Sequence, residues 1–193
     1  MLISLLGGTT SNVLAMIVLS LAFLVGLWLL VAIAGWLRKS PWKGNRKMKK
    51  IVEELKQVLA ESSQALAGMP EKESGDRPAP GKWSKKEVLG HLIDSAANNH
   101  QRFVRAQLGA ELKLPGYEQE AWVRTQQYQN ESWDGLVQFW RYYNLHLLHL
   151  IGAIPDAVLR NHIFIGENEP VTLEFLVEDY VRHLKHHLKQ IIG

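Results

Sequence analysis

From Met48 to the C-terminus, apolar residues recur every three or four positions in four separate stretches, the spacing of one buried face on a helix. The first stretch runs from about Met48 to Gly68, with Ile51, Leu55, Val58, Leu59 and Leu66 as its stripe. The second opens on a sharp start signal. Ser84 and Glu87 have the S-x-x-E spacing of a capping box, and Trp83 and Val88 stand where a hydrophobic staple closes over it. This helix is expected to reach about Leu108, with Val88, Leu89, Leu92, Ala96, Phe103 and Val104 facing inward. The third starts at a Ser132 N-cap, carries Leu136, Trp140, Tyr143, Leu147 and Leu150, and ends near Ile154 because Pro155 follows. The fourth begins after Pro170 with Thr172 as N-cap and continues to the end of the chain, its stripe including Leu176, Tyr180, Leu184 and Leu188.

Between the first two helices lies a polar, proline-rich loop, "PEKESGDRPAPGK". The second and third are separated by a longer connection containing "YEQEAWVRTQQY", enough for an additional short helix and of a length that is often functional. "HIFIGENEPVT" suits a small extended turn before the last helix. Four long amphipathic helices with one long crossover predict an all-α four-helix bundle over residues 48–193.

Residues 1–47 read differently. Val13 to Leu37 is 25 residues without a charge, enough to span a hydrocarbon core of roughly 30 Å with some tilt, and Trp28 and Trp36 suit its interfaces. The run "RKSPWKGNRKMKK" follows it and no Lys or Arg precedes it, so the positive-inside rule puts the bundle on the cytoplasmic side of the inner membrane as a single-pass protein. A signal peptide ending at the "AIA" of Ala32–Ala34 fits less well, because the basic n-region is missing and the apolar run is too long. If translation starts at Met48 instead, the product is a soluble cytoplasmic bundle.

Charge follows the same division. The sequence pI of about 9.1 belongs to the short collar: seven of the 22 Lys and Arg lie between Arg38 and Lys50, and no acidic residue precedes Glu53. The rest of the chain carries more carboxylates than cations, which argues against a nucleic-acid partner. With no cysteine, any metal must be held by His, carboxylates and water. No G-x-S-x-G, P-loop or dinucleotide-binding glycine pattern is present.

The last helix places three histidines in "DYVRHLKHHLKQ". His183 and His187, four apart, fall into its apolar stripe and stack on one face, whereas His186 points away. The glutamate of H-E-x-x-H is absent, so a zinc protease is not indicated. Two imidazoles leave a metal short of ligands. His91, beside Leu92 on the inward half of the second helix, is the candidate third. By spacing alone an H-x-x-x-H pair is more often a surface or hydrogen-bonded pair, and His146 with His149 on the third helix competes with it.

"GKWSKKEVLGHLIDSAANNHQRF" and "EPVTLEFLVEDYVRHLKHHLKQI" resemble the DinB/YfiT-like superfamily, in particular its W-S-x-x-E-V-L-G-H-L-x-D-S branch, and the likeness extends over about Met48 to Gly193. The resemblance implies a four-helix bundle holding divalent zinc or nickel through His91, His183 and His187. It also implies either a metal-dependent hydrolase or a transferase or isomerase that uses a low-molecular-weight thiol such as bacillithiol or mycothiol. A small-molecule substrate goes with either activity, and a homodimer is left open. Asp94 and Asp179, one turn from the ligands, are candidates to orient an imidazole, and Tyr180 to donate a hydrogen bond into the site; a solvated face and core packing are the respective alternatives. The competing functional class is a non-catalytic, metal-stabilised scaffold at the membrane, with Trp122 and Trp133 as exposed aromatics for a protein partner.

Overall fold

The computed structural model describes residues 45–193, so the apolar run 13–37 and most of the basic collar lie outside the described residues. Among the described residues no helix is long and apolar enough to cross a membrane.

Four long helices carry the fold: α1 (Arg46–Ala67), α3 (Lys85–Arg105), α5 (Trp133–Ala153) and α6 (Leu173–Ile192), with two short ones, α2 (Glu71–Gly75) and α4 (Gln119–Gln126), in the connections. Each start has a side-chain cap at or near the expected place. Ser132 accepts from Gly135 N and Thr172 from Phe175 N, while Asn45 accepts from Lys47 N and so starts α1 two residues before Met48. Ser84 and Glu87 complete both halves of the capping box.

Both α1 and α3 pack on α5 and on α6. The ring order is therefore α1, α5, α3, α6, and the first two long helices stand diagonally opposite. The core fills the ring, with Trp140, Phe103, Met48, Leu55, Leu147 and Leu184 among its fully buried side chains. Trp133, expected outside, is only 3% exposed, because its indole nitrogen donates to Leu66 O at 2.9 Å and ties the start of α5 to the end of α1. Trp122 is exposed, as expected.

The diagonal crossing from α1 to α3 needs a brace, and the polar loop supplies one. It contains α2, whose Glu71 accepts from Trp133 N and pairs with Lys86, a lysine only 6% exposed that also donates to Glu131 O at 2.6 Å. One buried ammonium thus joins α2, α3 and the start of α5, and a carboxylate with a carbonyl as partners is what lets this lysine be buried.

The fold is not purely helical. β1 (Glu111–Leu114) pairs in parallel with β2 (His162–Ile165), which pairs antiparallel with β3 (Val171–Thr172), giving a sheet of order β1-β2-β3. Strands this short carry too little alternation to be told from turns, and the β1 partner is remote in sequence. Helix α3 also stops at Arg105, before Leu108, and Val104 and Leu108 are exposed. Asn161 takes up the carbonyls of Ala106 and Gly109 where the helix ends.

Gly90 shows how tightly α3 is covered. A Cβ there would lie 2.1 Å from Cδ2 of Tyr128, whose ring packs directly on the helix backbone. Gly90→Ala is expected to cost about 1–3 kcal/mol through overpacking and to lower the melting temperature by several degrees, as measured by thermal unfolding of the two proteins.

Candidate metal centre

Helices α3 and α6 bring His91, His183 and His187 together, with one ligand atom from each ring lying within 4.8 Å of the other two. Nε2 of His91 stands 3.2 Å from Nε2 of His183. The rings of His91 and His187 have centroids 4.7 Å apart, and those of His183 and His187, 4.5 Å. His91 is buried and the other two are half-buried.

The hydrogen bonds sort the ring nitrogens. Nδ1 of His187 lies 2.9 Å from Gln190 Oε1, which can only accept, so that nitrogen carries the hydrogen and Nε2 keeps its lone pair. Gln190 is held in turn by donating from Nε2 to His186, the exposed third histidine. Nδ1 of His183 approaches Ser95 Oγ at 3.5 Å, again leaving Nε2 toward His91. Nδ1 of His91 is buried with no partner. The Nε2 atoms of His91 and His183 face each other at a distance at which they share one hydrogen or, with both lone pairs turned inward, a cation, so the donor set fits a divalent ion.

Burial keeps these rings neutral. It pushes the pKa of His91 down to about 3, reinforced by the neighbouring charges of His183 and His187. For His183 burial and then His187 lower it to about 4 against the opposing pull of Asp179. Burial also lowers His187, offset by its bond to Gln190. Neutral imidazole is the form that binds a metal.

Of the other sequence candidates, Asp179 and Tyr180 line the small cavity beside the histidines, but these two and Asp94 all have their hydrogen bonds with other groups. Asp94 is buried, and its Oδ1 accepts from Tyr128 Oη at 2.7 Å and from Gln126 Nε2, which latches the end of α4 and the turn after it onto α3; among the described residues it makes no hydrogen bond to an imidazole. Burial raises its pKa and those two hydrogen bonds oppose the rise. Asp179 pairs with Arg182 and acts on His183 only through its charge. Tyr180 is buried against Phe103 and donates its hydroxyl hydrogen to Asn144 Oδ1 at 2.6 Å, which leaves none for the centre. His146 packs against His100, 5.0 Å between centroids, and His100 meets Tyr143 Oη at 3.2 Å. Among the described residues, His91, His183 and His187 are the one such group of three or more His or carboxylate side chains.

Two cavities open near the centre. A small one of about 180 Å³ is walled by His91 and His183 together with Ser95, Asn99, Arg102, Tyr117 and Asp179. A larger one of about 800 Å³ is walled by Trp83, Arg77, Lys82, Gln119 and Gln190. Trp83 packs its ring 5.3 Å from that of His91, so the staple residue is also a wall of the site. Gln190 and Tyr117 were not singled out by sequence. Gln190 had a usable signal, three residues after a candidate ligand on the same helix; Tyr117 sits in a connection with no periodicity.

A buried helical bundle with a His-only cluster open to a cavity defines a class, and comparison places the chain within it. The chain belongs to the DinB superfamily, whose family model matches residues 54–191. YfiT of Bacillus subtilis (strain 168) is 23% identical over 143 residues, 74% of this chain and 80% of that protein. Its structure, described as that of a probable metal-dependent hydrolase with an unusual four-helix bundle topology, superposes with a TM-score of 0.69 at 22% identity, covering 79% of this chain and 89% of YfiT. A mycothiol-dependent maleylpyruvate isomerase superposes with a TM-score of 0.63 at 12% identity, covering 76% of this chain and 60% of the isomerase. At these identities the structural likeness establishes the fold.

The neutral histidines predict a pH dependence. In the unfolded chain each ring gains a proton near pH 6.5, whereas His91 and His183 in the folded protein do so only near 3 and 4. Between those limits the unfolded state binds more protons, so stability is complete above about pH 6.5 and falls as pH falls toward about 3. Urea midpoints of metal-free protein across that window should show the decline, and a smaller one in His183→Gln.

Proposed function

We propose that this protein is a metal-dependent enzyme of the DinB superfamily in which His91, His183 and His187 hold a divalent ion, zinc or nickel. The observation that carries the reading is the convergence of three neutral imidazoles beside a cavity, two of them with Nδ1 committed to, or approached by, neighbouring polar groups. When bound, such an ion lowers the pKa of a coordinated water or thiol and so makes a nucleophile available near neutral pH. Three protein ligands leave coordination positions free, the usual arrangement of a catalytic rather than a structural site.

The chain's own residues have separable tasks. Gln190 fixes the His187 ring and its tautomer, and Ser95 flanks His183. Trp83 covers one side of His91, and the small cavity walled by His91 and His183 leaves room for a small molecule beside the imidazoles. The reaction is hydrolysis or a low-molecular-weight-thiol-dependent transfer; the names of the relatives, a metal-dependent hydrolase and a mycothiol-dependent isomerase, support metal-dependent hydrolysis and thiol-dependent chemistry respectively. The uncharged run 13–37 supports attachment of the full-length chain to the membrane, with the bundle cytoplasmic.

Elemental analysis of untagged protein is expected to find one divalent ion per chain, and His91→Ala or His183→Ala to lose it. Unchanged metal content in both variants would refute the centre. Gln190→Leu should retain the ligands but bind metal roughly 10- to 100-fold more weakly, as loss of an outer hydrogen-bond partner does elsewhere. Turnover of a test electrophile with and without an added thiol separates the two reactions, since thiol-independent turnover excludes the transferase.

A further inference from the structure

The smaller cavity is a built polar site whose charge is not used within the bundle. Along α3, His91, Ser95, Asn99 and Arg102 follow one another at spacings of four, four and three, so one stripe of the helix leads from the metal centre to a guanidinium. Arg102 is partly buried at the far wall. Among the described residues its side chain makes a single hydrogen bond, from Nη1 to Asn99 Oδ1 at 3.4 Å, and no carboxylate lies within ion-pair distance. Asp179 shares the cavity but is paired with Arg182 on its own helix. Tyr117, from the connection before α4, and Gln119, the first residue of α4, close the remaining side, and no hydrogen bond of the Tyr117 hydroxyl occurs among the described residues.

We propose that this cavity is a carboxylate-binding subsite, in which Arg102 takes the anionic end of a small substrate whose reacting end faces His91 and His183. The inference rests on the reading of those histidines as the metal centre. A guanidinium has five N–H donors in a planar fork, and a partly dry one with a single long bond leaves donors to be met by a two-oxygen acceptor. Burial lowers the pKa of Arg102 while Tyr117 and Asp179 raise it, so the group stays charged but is deprived of water. The anion is a monoanionic carboxylate rather than a phosphate. One guanidinium balances one charge, Asp179 in the same wall repels a second, and a volume of about 180 Å³ limits the ligand to a short chain. Tyr117 adds a neutral donor from the opposite side.

The test compares butyrate, neutral butyramide and inorganic phosphate on the full-length protein, both metal-loaded and stripped by chelator, by calorimetry or by shifts of tryptophan signals. Butyrate is expected to bind, with butyramide and phosphate each weaker by about tenfold or more. Arg102→Gln should erase the preference for butyrate over butyramide while leaving metal content unchanged, and Tyr117→Phe should weaken butyrate alone by a few-fold. Should Arg102→Gln fail to fold, Arg102→Lys carries the same test, with partial retention expected. The preference for butyrate must persist in stripped protein. Butyrate binding that survives Arg102→Gln but disappears with the metal would place the anion on the ion and overturn the proposal. Equal binding of the acid and the amide, tighter binding of phosphate, or no binding of butyrate would overturn it as well. Failure of the metal reading shows separately, in the metal content of His183→Ala, and leaves the stripped-protein comparison intact.

Discussion

The seam between α3 and α6 has to accommodate two imidazole nitrogens 3.2 Å apart in a place with little water. Leu89 and Leu92 on one side and Leu184 and Leu188 on the other hold the helices together by burial. The nitrogens oppose that unless they share something positive. The rest of the site is arranged to make the sharing specific. Gln190 turns one ring, Ser95 flanks the second, and Trp83 lies against the third. The helix that carries His91 is registered by its capping box, which Gln129 reinforces by accepting from Ser84 Oγ. A shift of the α3 start would move His91 out of reach of α6.

Helix α3 serves two neighbours, and this decides what its polar residues do. Ser95 lies about 40° to one side of His91 around the helix axis and Asp94 about 60° to the other. Ser95 consequently faces α6, while Asp94 faces Tyr128 and Gln126. A carboxylate one turn from a ligand is close in sequence but belongs to a different side of the helix. The wall of the site over that side is fixed by Asp94 and by the missing side chain of Gly90. Positioning thus comes from the same helix as the ligand, by a route the ligand does not touch.

The four long helices and their caps were legible because each has a full stripe and a chemically distinct first residue. The juxtaposition of His91 with His183 and His187 was legible only as a possibility of facing stripes, since no spacing rule says which helices of a bundle are neighbours. What the sequence hid has one physical character: partners distant along the chain. Trp133 looks like a surface aromatic until the carbonyl of Leu66 is placed beside its indole, and Lys86 looks solvated until Glu71 and Glu131 surround it. Tyr180 lies on the expected inward face, yet Asn144 on α5 takes its hydrogen. The run 13–37 has the opposite character, a strong local signal that lies outside the described residues.

The small sheet bears on how the chain reaches this state. Glu111 pairs in parallel with His162, so β1 and β2 close a loop of roughly fifty residues that contains α4 and α5, and closing a loop of that size has a substantial entropic cost before any strand bond repays it. Hydrogen bonds between four-residue strands are too few to meet that cost unaided, so the sheet depends on the docking of α5, which shortens the effective loop. Tyr117, three residues beyond β1, owes its position over the cavity to that sheet. The roof of the small cavity thus rests on a few strand bonds, whereas the histidine seam rests on a full helix interface, and the roof would be among the first parts of the molecule to open in local unfolding.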